Sequence, residues 1–189
     1  MKTLVAAAAL LAIAGAAHAQ SATYTIDPTH TFVSFEVAHF GTSMNRGRWD
    51  KKEGTVQFDR AGKTGRVEIT IDMNSINSGV PPFDNHLKSK DFFDTANHPT
   101  AKFVGDKFVF SGDKVTAVEG TLTMMGKSNP VTLKANLFNC YQNPMFKREV
   151  CGGDFEATIQ PTLWGISTYI PTIAPDKVRL VVQVEAIKQ

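Results

Sequence analysis

Five histidines, 18 carboxylates and two cysteines are what this chain of 189 residues offers for acid–base, metal or thiol chemistry. His39 shares one face of the segment Thr31–His39 with Val33, Phe35 and Val37, while Ser34 and Glu36 take the other, so its imidazole turns inward. A buried imidazole needs a hydrogen-bond partner. It reads as a ligand or general base, or as a satisfied core histidine. His86 stands in Phe83-Asp84-Asn85-His86-Leu87-Lys88-Ser89-Lys90-Asp91, which is rich in groups able to bind metal or move protons. Zinc, however, requires three or four ligands fixed together. Asp84 and His86 are two apart, which on a helix points them to different sides, and no HExxH or CxxC spacing occurs. No metal site is therefore expected, and Asp84 reads as a carboxylate that satisfies free N–H groups at a helix start. There is no G-x-S-x-G elbow and no phosphate-cradling glycine loop, and Asp91 and Asp94 lie one turn apart on a polar face. No catalytic residue and no cofactor is expected. An enzyme using His39 or His86 as acid or base on a hydrophobic substrate is the alternative.

Residues 1–19 set the compartment. One cation, Lys2, precedes an apolar stretch from Leu4 to Ala14, and Ala17-His18-Ala19 places small residues one and three positions before Gln20. This is the pattern of a secretory signal peptide cleaved after Ala19. An apolar run of about 11 residues is too short for the ~20 that a bilayer requires, so no membrane anchor is expected. The mature chain, 20–189, then carries 19 basic and 18 acidic side chains. With no run of five like charges, nucleic-acid binding is excluded as a function. Export also changes how Cys140 and Cys151 read: both belong to the mature chain, in a compartment where disulfides persist, and their spacing suits neither a metal nor a redox pair. A structural disulfide pinning a long hairpin loop is expected.

The elements that must position these residues are strands. Val67, Ile69, Ile71 and Met73 alternate with Arg66, Glu68, Thr70 and Asp72. Comparable runs occupy 31–39, 55–59, 101–110, 114–124, 130–138, 154–159 and 177–187, about eight strands in all. Turn chemistry separates them at Ala61-Gly62-Lys63, Ser111-Gly112-Asp113, Gly126–Pro130 and Gly152-Gly153-Asp154. This predicts an all-β antiparallel meander curled into a sandwich or barrel. One stretch breaks the period: Pro82–Asn97 sets Phe83, Leu87 and Phe92 or Phe93 at helical intervals, predicting a short helix between strands three and four. No linker or composition shift divides the mature chain, so one domain is expected over 20–189. An eight-stranded barrel has an interior just large enough to be filled by side chains or to hold one small ligand. Alternation alone does not choose between the two.

Several motifs together resemble the YceI-like family of periplasmic, lipocalin-like polyisoprenoid-binding proteins. They are Tyr24–His30 leading into Val33–Gly41, Ser75–Gly79, Asp84–Asp94 with His98-Pro99, Val118–Thr123 with Gly126, and Val178–Ala186. The resemblance runs in order along nearly the whole mature chain. It implies an extended eight-stranded antiparallel barrel around a long apolar channel, with the helix at one side. It further implies binding of long-tailed amphiphiles such as quinone-type or prenyl-phosphate isoprenoids or fatty-acid amides, often by a homodimer. Val33, Phe35, Val37, His39, Val67, Ile69 and Ile71 would supply the channel wall. Asp84, His86, Leu87, Phe92 and Phe93 would form its mouth or lid. In one place this chain differs, carrying Pro161-Thr162-Leu163-Trp164-Gly165 where members commonly show Arg-Ser before Phe-Gly.

The function expected is thus periplasmic binding, transport or storage of a long-chain apolar lipid, with the membrane serving only as lipid source. Besides the enzyme, a dry, ligand-free stress or interaction barrel is the remaining alternative.

Overall fold

Alternating inward apolar residues need a closed surface to face, and here the sheet supplies it by meeting its own edge. The structure, a computed structural model, describes residues 21–145 and 147–189, so the signal peptide expected at 1–19 lies outside the described residues. One antiparallel sheet forms eight staves. The first stave is β1 (Ala22–Ile26) with β2 (Phe32–His39), the second β3 (Ser43–Trp49) with β4 (Lys52–Asp59), the third β5 (Thr64–Asp72) with β6 (Ile76–Asn77). The rest are β7 (Thr100–Ser111), β8 (Lys114–Met124), β9 (Lys127–Asn143), β10 (Arg148–Ile159) and β11 (Val178–Lys188). Unbroken β11 pairs with β2 from Val178↔Val37 to Gln183↔Phe32 and with β1 from Ala186↔Ile26 to Lys188↔Tyr24, which closes the barrel.

The break in the first stave explains the Asp27-Pro28-Thr29-His30 motif. Residues 27–31 bulge opposite 184 and 185, and backbone groups there find substitute partners. The Asp27 N–H donates to Glu185 O (2.8 Å), and the Glu185 N–H donates to Thr31 Oγ1 (3.3 Å). Thr31 has no exposed surface (0%). The Asp27 carboxylate accepts from the Thr29 N–H (2.8 Å), the Thr29 hydroxyl (2.6 Å) and His30 Nδ1 (2.7 Å). Burial acts to raise its pKa, but the bonds from His30 and Thr29 outweigh that and hold it at about 2. The same bond to Asp27 raises the pKa of His30.

Three strands are additional to those expected: the two-residue β6; β1, whose Ala22, Tyr24 and Ile26 alternate with Thr23 and Thr25 over only five residues; and β3, which carries no clear periodicity. In β3, the residues opposite inward-facing Val37, Phe35 and Val33 are Asn45, Gly47 and Trp49, a set without apolar alternation. Gly47 is required by close packing: a Cβ there would lie 2.6 Å from Phe35 Cε1. The turn expected at Gly152-Gly153-Asp154 is instead the middle of β10. Its glycines allow neighbouring strands to approach, since a Cβ would lie 2.1 Å from Val184 O at position 152 and 2.0 Å from Leu137 O at 153. The hairpin β9–β10 is correspondingly long, with Cys140 and Cys151 directly opposite within its ladder (Cα–Cα 4.1 Å). The disulfide thus staples paired strands, where a long loop had been expected.

The helix is shorter than its periodicity suggested: α1 spans Pro81–Lys88, between the third and fourth staves. Pro81 at the first turn suits the missing N–H. At the other end Ser89 leaves the helical region and its hydroxyl donates to His86 O (2.7 Å), after which Phe93 and Thr95 donate their N–H groups to Leu87 O and Lys88 O. Phe92 and Phe93 therefore stand on a turn, held by the carbonyls that the helix end frees.

Candidate functional site: an apolar cavity at one end of the barrel

Among the described residues, the inward faces line two cavities that share no residue. The larger, of about 260 Å³, is walled by Val33, Phe35, Val37 and His39 of β2 with Trp49, Ile71, Ala101, Leu122 and Leu180 of neighbouring staves. The smaller, of about 70 Å³, lies among Phe58, Val67, Ile69, Phe103, Phe108 and Phe155. Because Ile69 and Ile71, or Phe103 and Ala101, follow one another along the same inward face, the cavities are stacked along the barrel. The single long channel implied by the resemblance is divided. The reason is bulk: six of the smaller cavity's lining residues, Tyr24, Phe58, Phe103, Phe108, Phe138 and Phe155, carry aromatic rings into the same interior.

Of the residues expected in the wall, Val33, Phe35, Val37, His39 and Ile71 lie together on the larger cavity, whereas Val67 and Ile69 belong to the smaller. His86, Leu87, Phe92 and Phe93 do gather over the larger cavity. Asp84 does not line it. Its carboxylate accepts from the Ser78 N–H (2.7 Å) and hydroxyl (2.6 Å), just upstream of the helix, so it fastens the helix to the chain entering it instead of satisfying the helix's own N–H groups. Leu87 is buried, while His86 packs edge-on against Phe92 (ring centroids 4.9 Å) and nears Tyr169 (6.0 Å).

Tyr169 belongs to a segment that has no periodic signal in the sequence, the long connection from β10 to β11. Ile166, Tyr169, Ile170, Ile173 and Pro175 all face the cavity. The connection begins as a short 3₁₀ turn, Pro161–Trp164, whose Trp164 is 1% exposed and donates its indole N–H to Leu122 O (3.1 Å). Thr162 bonds to Asp176, joining the two ends, and the Phe40 N–H donates to Ile173 O (2.8 Å), tying the segment to the β2–β3 turn. The departure at Pro161-Thr162 thus forms the anchored start of the cavity's cover. An irregular segment has no apolar period, so only its Ile, Tyr and Pro content could have signalled it.

Among the described residues, no Asp, Glu, Lys or Arg lines the larger cavity. Its polar side chains are His39, Asn45, His86, Thr168 and Tyr169, with the indole of Trp49. Charged groups pair instead on the outer surface, where Arg179 bridges Glu36 and Glu156 and Arg46 reaches Glu36 (2.8 Å). Among the described residues, no three or more His, Cys, Asp or Glu gather into a metal-binding group. Such a site can take up apolar matter and orient it weakly through uncharged donors and acceptors.

The family model described as YceI-like domain matches residues 24–186. A UPF0312 protein of Pseudomonas aeruginosa is 33% identical over 191 residues, covering 100% of this chain and 98% of its own. Among solved structures, BcnA of Burkholderia cenocepacia aligns with a TM-score of 0.71 at 25% identity, over 85% of this chain and 98% of that one. A polyisoprenoid binding domain from Saccharophagus degradans, implicated in plant cell wall breakdown, aligns with a TM-score of 0.62 over 90% of this chain and 100% of its own; at 15% identity that likeness is one of fold.

Proposed function

The chain belongs to the YceI-like domain family, and on that premise we propose that it is an exported, periplasmic carrier or store for a long-chain apolar lipid of isoprenoid, quinone, prenyl-phosphate or fatty-amide type. The observation that carries this reading is the cavity of about 260 Å³ bordered by aliphatic and aromatic side chains without one permanent charge. A polyisoprenoid ligand is also what the name of the Saccharophagus domain of like fold states for that protein.

Volume and energy agree with such a role. A dry cavity of about 150 Å³ accommodates the six carbons of benzene, so the larger cavity has room for roughly ten carbons, about two isoprene units. Burying these at ~0.8 kcal/mol each gives about 8 kcal/mol before ordering costs, the scale of micromolar binding. Longer tails then protrude past α1 and the 165–175 segment. Val33, Phe35, Val37, His39 and Ile71 act as wall, and His86, Leu87, Phe92 and Phe93 as lid, joined by Tyr169.

The reading is tested by titrating a fluorescent apolar probe into wild type and into Val37→Trp, which fills the cavity beside the lid. Binding weakened by tenfold or more in the variant is expected. Unchanged affinity would place the ligand elsewhere.

A further inference from the structure

Trp49 is the one described residue with a buried side-chain nitrogen or oxygen that lacks a hydrogen-bond partner. It is 5% exposed, ends β3, and lies opposite Val33 on the wall of the larger cavity. Its ring packs against Phe35 (centroids 5.4 Å) and Phe93 (5.8 Å). An aromatic face is at most a second-order partner for an N–H. The contrast with Trp164, also buried but bonded to Leu122 O at 3.1 Å, is direct. Leaving a buried donor unpaired costs a fold free energy, and natural structures rarely do so without cause.

We infer that Trp49 Nε1–H is the internal hydrogen-bond donor for the ligand, and that the ligand is an uncharged lipid bearing a carbonyl oxygen. This rests on the lipid-binding reading above and sharpens it. With no Lys or Arg on the wall, an anionic headgroup brought this far inside would be buried without a counter-charge, which is prohibitive. A ketone, ester, amide or quinone oxygen carries no such penalty and relieves the unpaired donor. Position fixes the orientation. His39 adjoins the β2–β3 turn, and Trp49 lies opposite Val33, six residues further along β2, about 20 Å away at ~3.3 Å per residue. The carbonyl end therefore enters first, and the apolar tail runs back toward His39, His86 and Tyr169.

The test uses the full mature protein with two probes of equal heavy-atom count, 2-decanone and n-undecane, in competition with an apolar fluorophore. Wild type should prefer the ketone by about three- to tenfold, the scale of one net hydrogen bond, and in Trp49→Phe the ratio of ketone to hydrocarbon affinity should fall to about one, whatever the change in cavity volume does to both affinities together. A second measurement needs no variant: of the two indole N–H resonances in ¹⁵N-labelled wild type, the ketone should shift one downfield and leave the bonded Trp164 signal in place, and the hydrocarbon should produce no downfield shift. Equal affinities, or a ketone preference that survives in Trp49→Phe, or two unmoved indole signals at saturation, would overturn the Trp49 assignment while leaving lipid binding intact. Failure of both probes to bind would overturn the lipid-binding reading itself, and the Trp49 assignment with it.

Discussion

Phe35 occupies the space that a side chain at position 47 would need: a Cβ on Gly47 would lie 2.6 Å from both Cε1 and Cζ of the Phe35 ring. The two are register partners on β2 and β3, and Phe35 also forms part of the cavity wall. Gly47→Ala should therefore push the ring toward the cavity. Overpacking of this kind costs about 1–3 kcal/mol. Thermal unfolding should show that loss, and probe titration should show weaker uptake. An alanine variant as stable and as avid as wild type would mean that the ring moves elsewhere.

The Asp27–His30 pair makes stability depend on pH in a defined window. The Asp27 pKa is depressed to about 2, so its contribution is complete above the ordinary carboxylate range near 4 and is lost as pH falls through about 2. That of His30 is raised, so its contribution is complete below about 6.5 and is lost as pH rises through its folded value. The difference in melting temperature between wild type and His30→Ala should be largest between about pH 4 and 6.5 and shrink on both sides. A difference that persists undiminished at pH 9 would contradict the ion pair.

Cys140 and Cys151, separated by 11 residues and facing each other across β9 and β10, close a small loop. In the chain-entropy model this stabilises the fold by about 2–3 kcal/mol. The Cys140→Ala/Cys151→Ala double variant should lose that amount in denaturant unfolding and still bind the apolar probe, because the larger cavity does not include either position.

Cavity size sets a limit on useful tail length. Affinity for a series of ketones should rise with each added carbon until about ten carbons are inside and then flatten, as further carbons remain outside the wall. A rise continuing undiminished to twenty carbons would show that the two cavities merge on binding.

What was legible in the sequence followed from the period of two. The inward set Val33, Phe35, Val37 and His39 stands as its alternation required, because a strand face buried on one side admits no other register. Alternation specifies a face but not a height along the barrel, which is why Val67 and Ile69 fall on the smaller cavity while Ile71, on the same face, reaches the larger. It also fails where an inward position is polar or absent: Asn45 and Gly47 hid β3 and, with it, Trp49. The paired glycines at 152 and 153 look like a turn in one dimension, and only the approach of Val184 and Leu137 from neighbouring strands explains them. The cover from 165 to 175 is held by Trp164, Asp176 and the β2–β3 turn, contacts between residues distant in sequence that no local pattern encodes.

The most direct measurement of the central claim is native mass spectrometry of the mature protein purified without detergent, followed by extraction and identification of whatever it carries. A lipid-carrying role predicts a one-to-one adduct that extracts as an uncharged, carbonyl-bearing lipid and is diminished in Val37→Trp. A protein that flies free of any adduct and takes up no lipid when incubated with an extract of its own cells would contradict it.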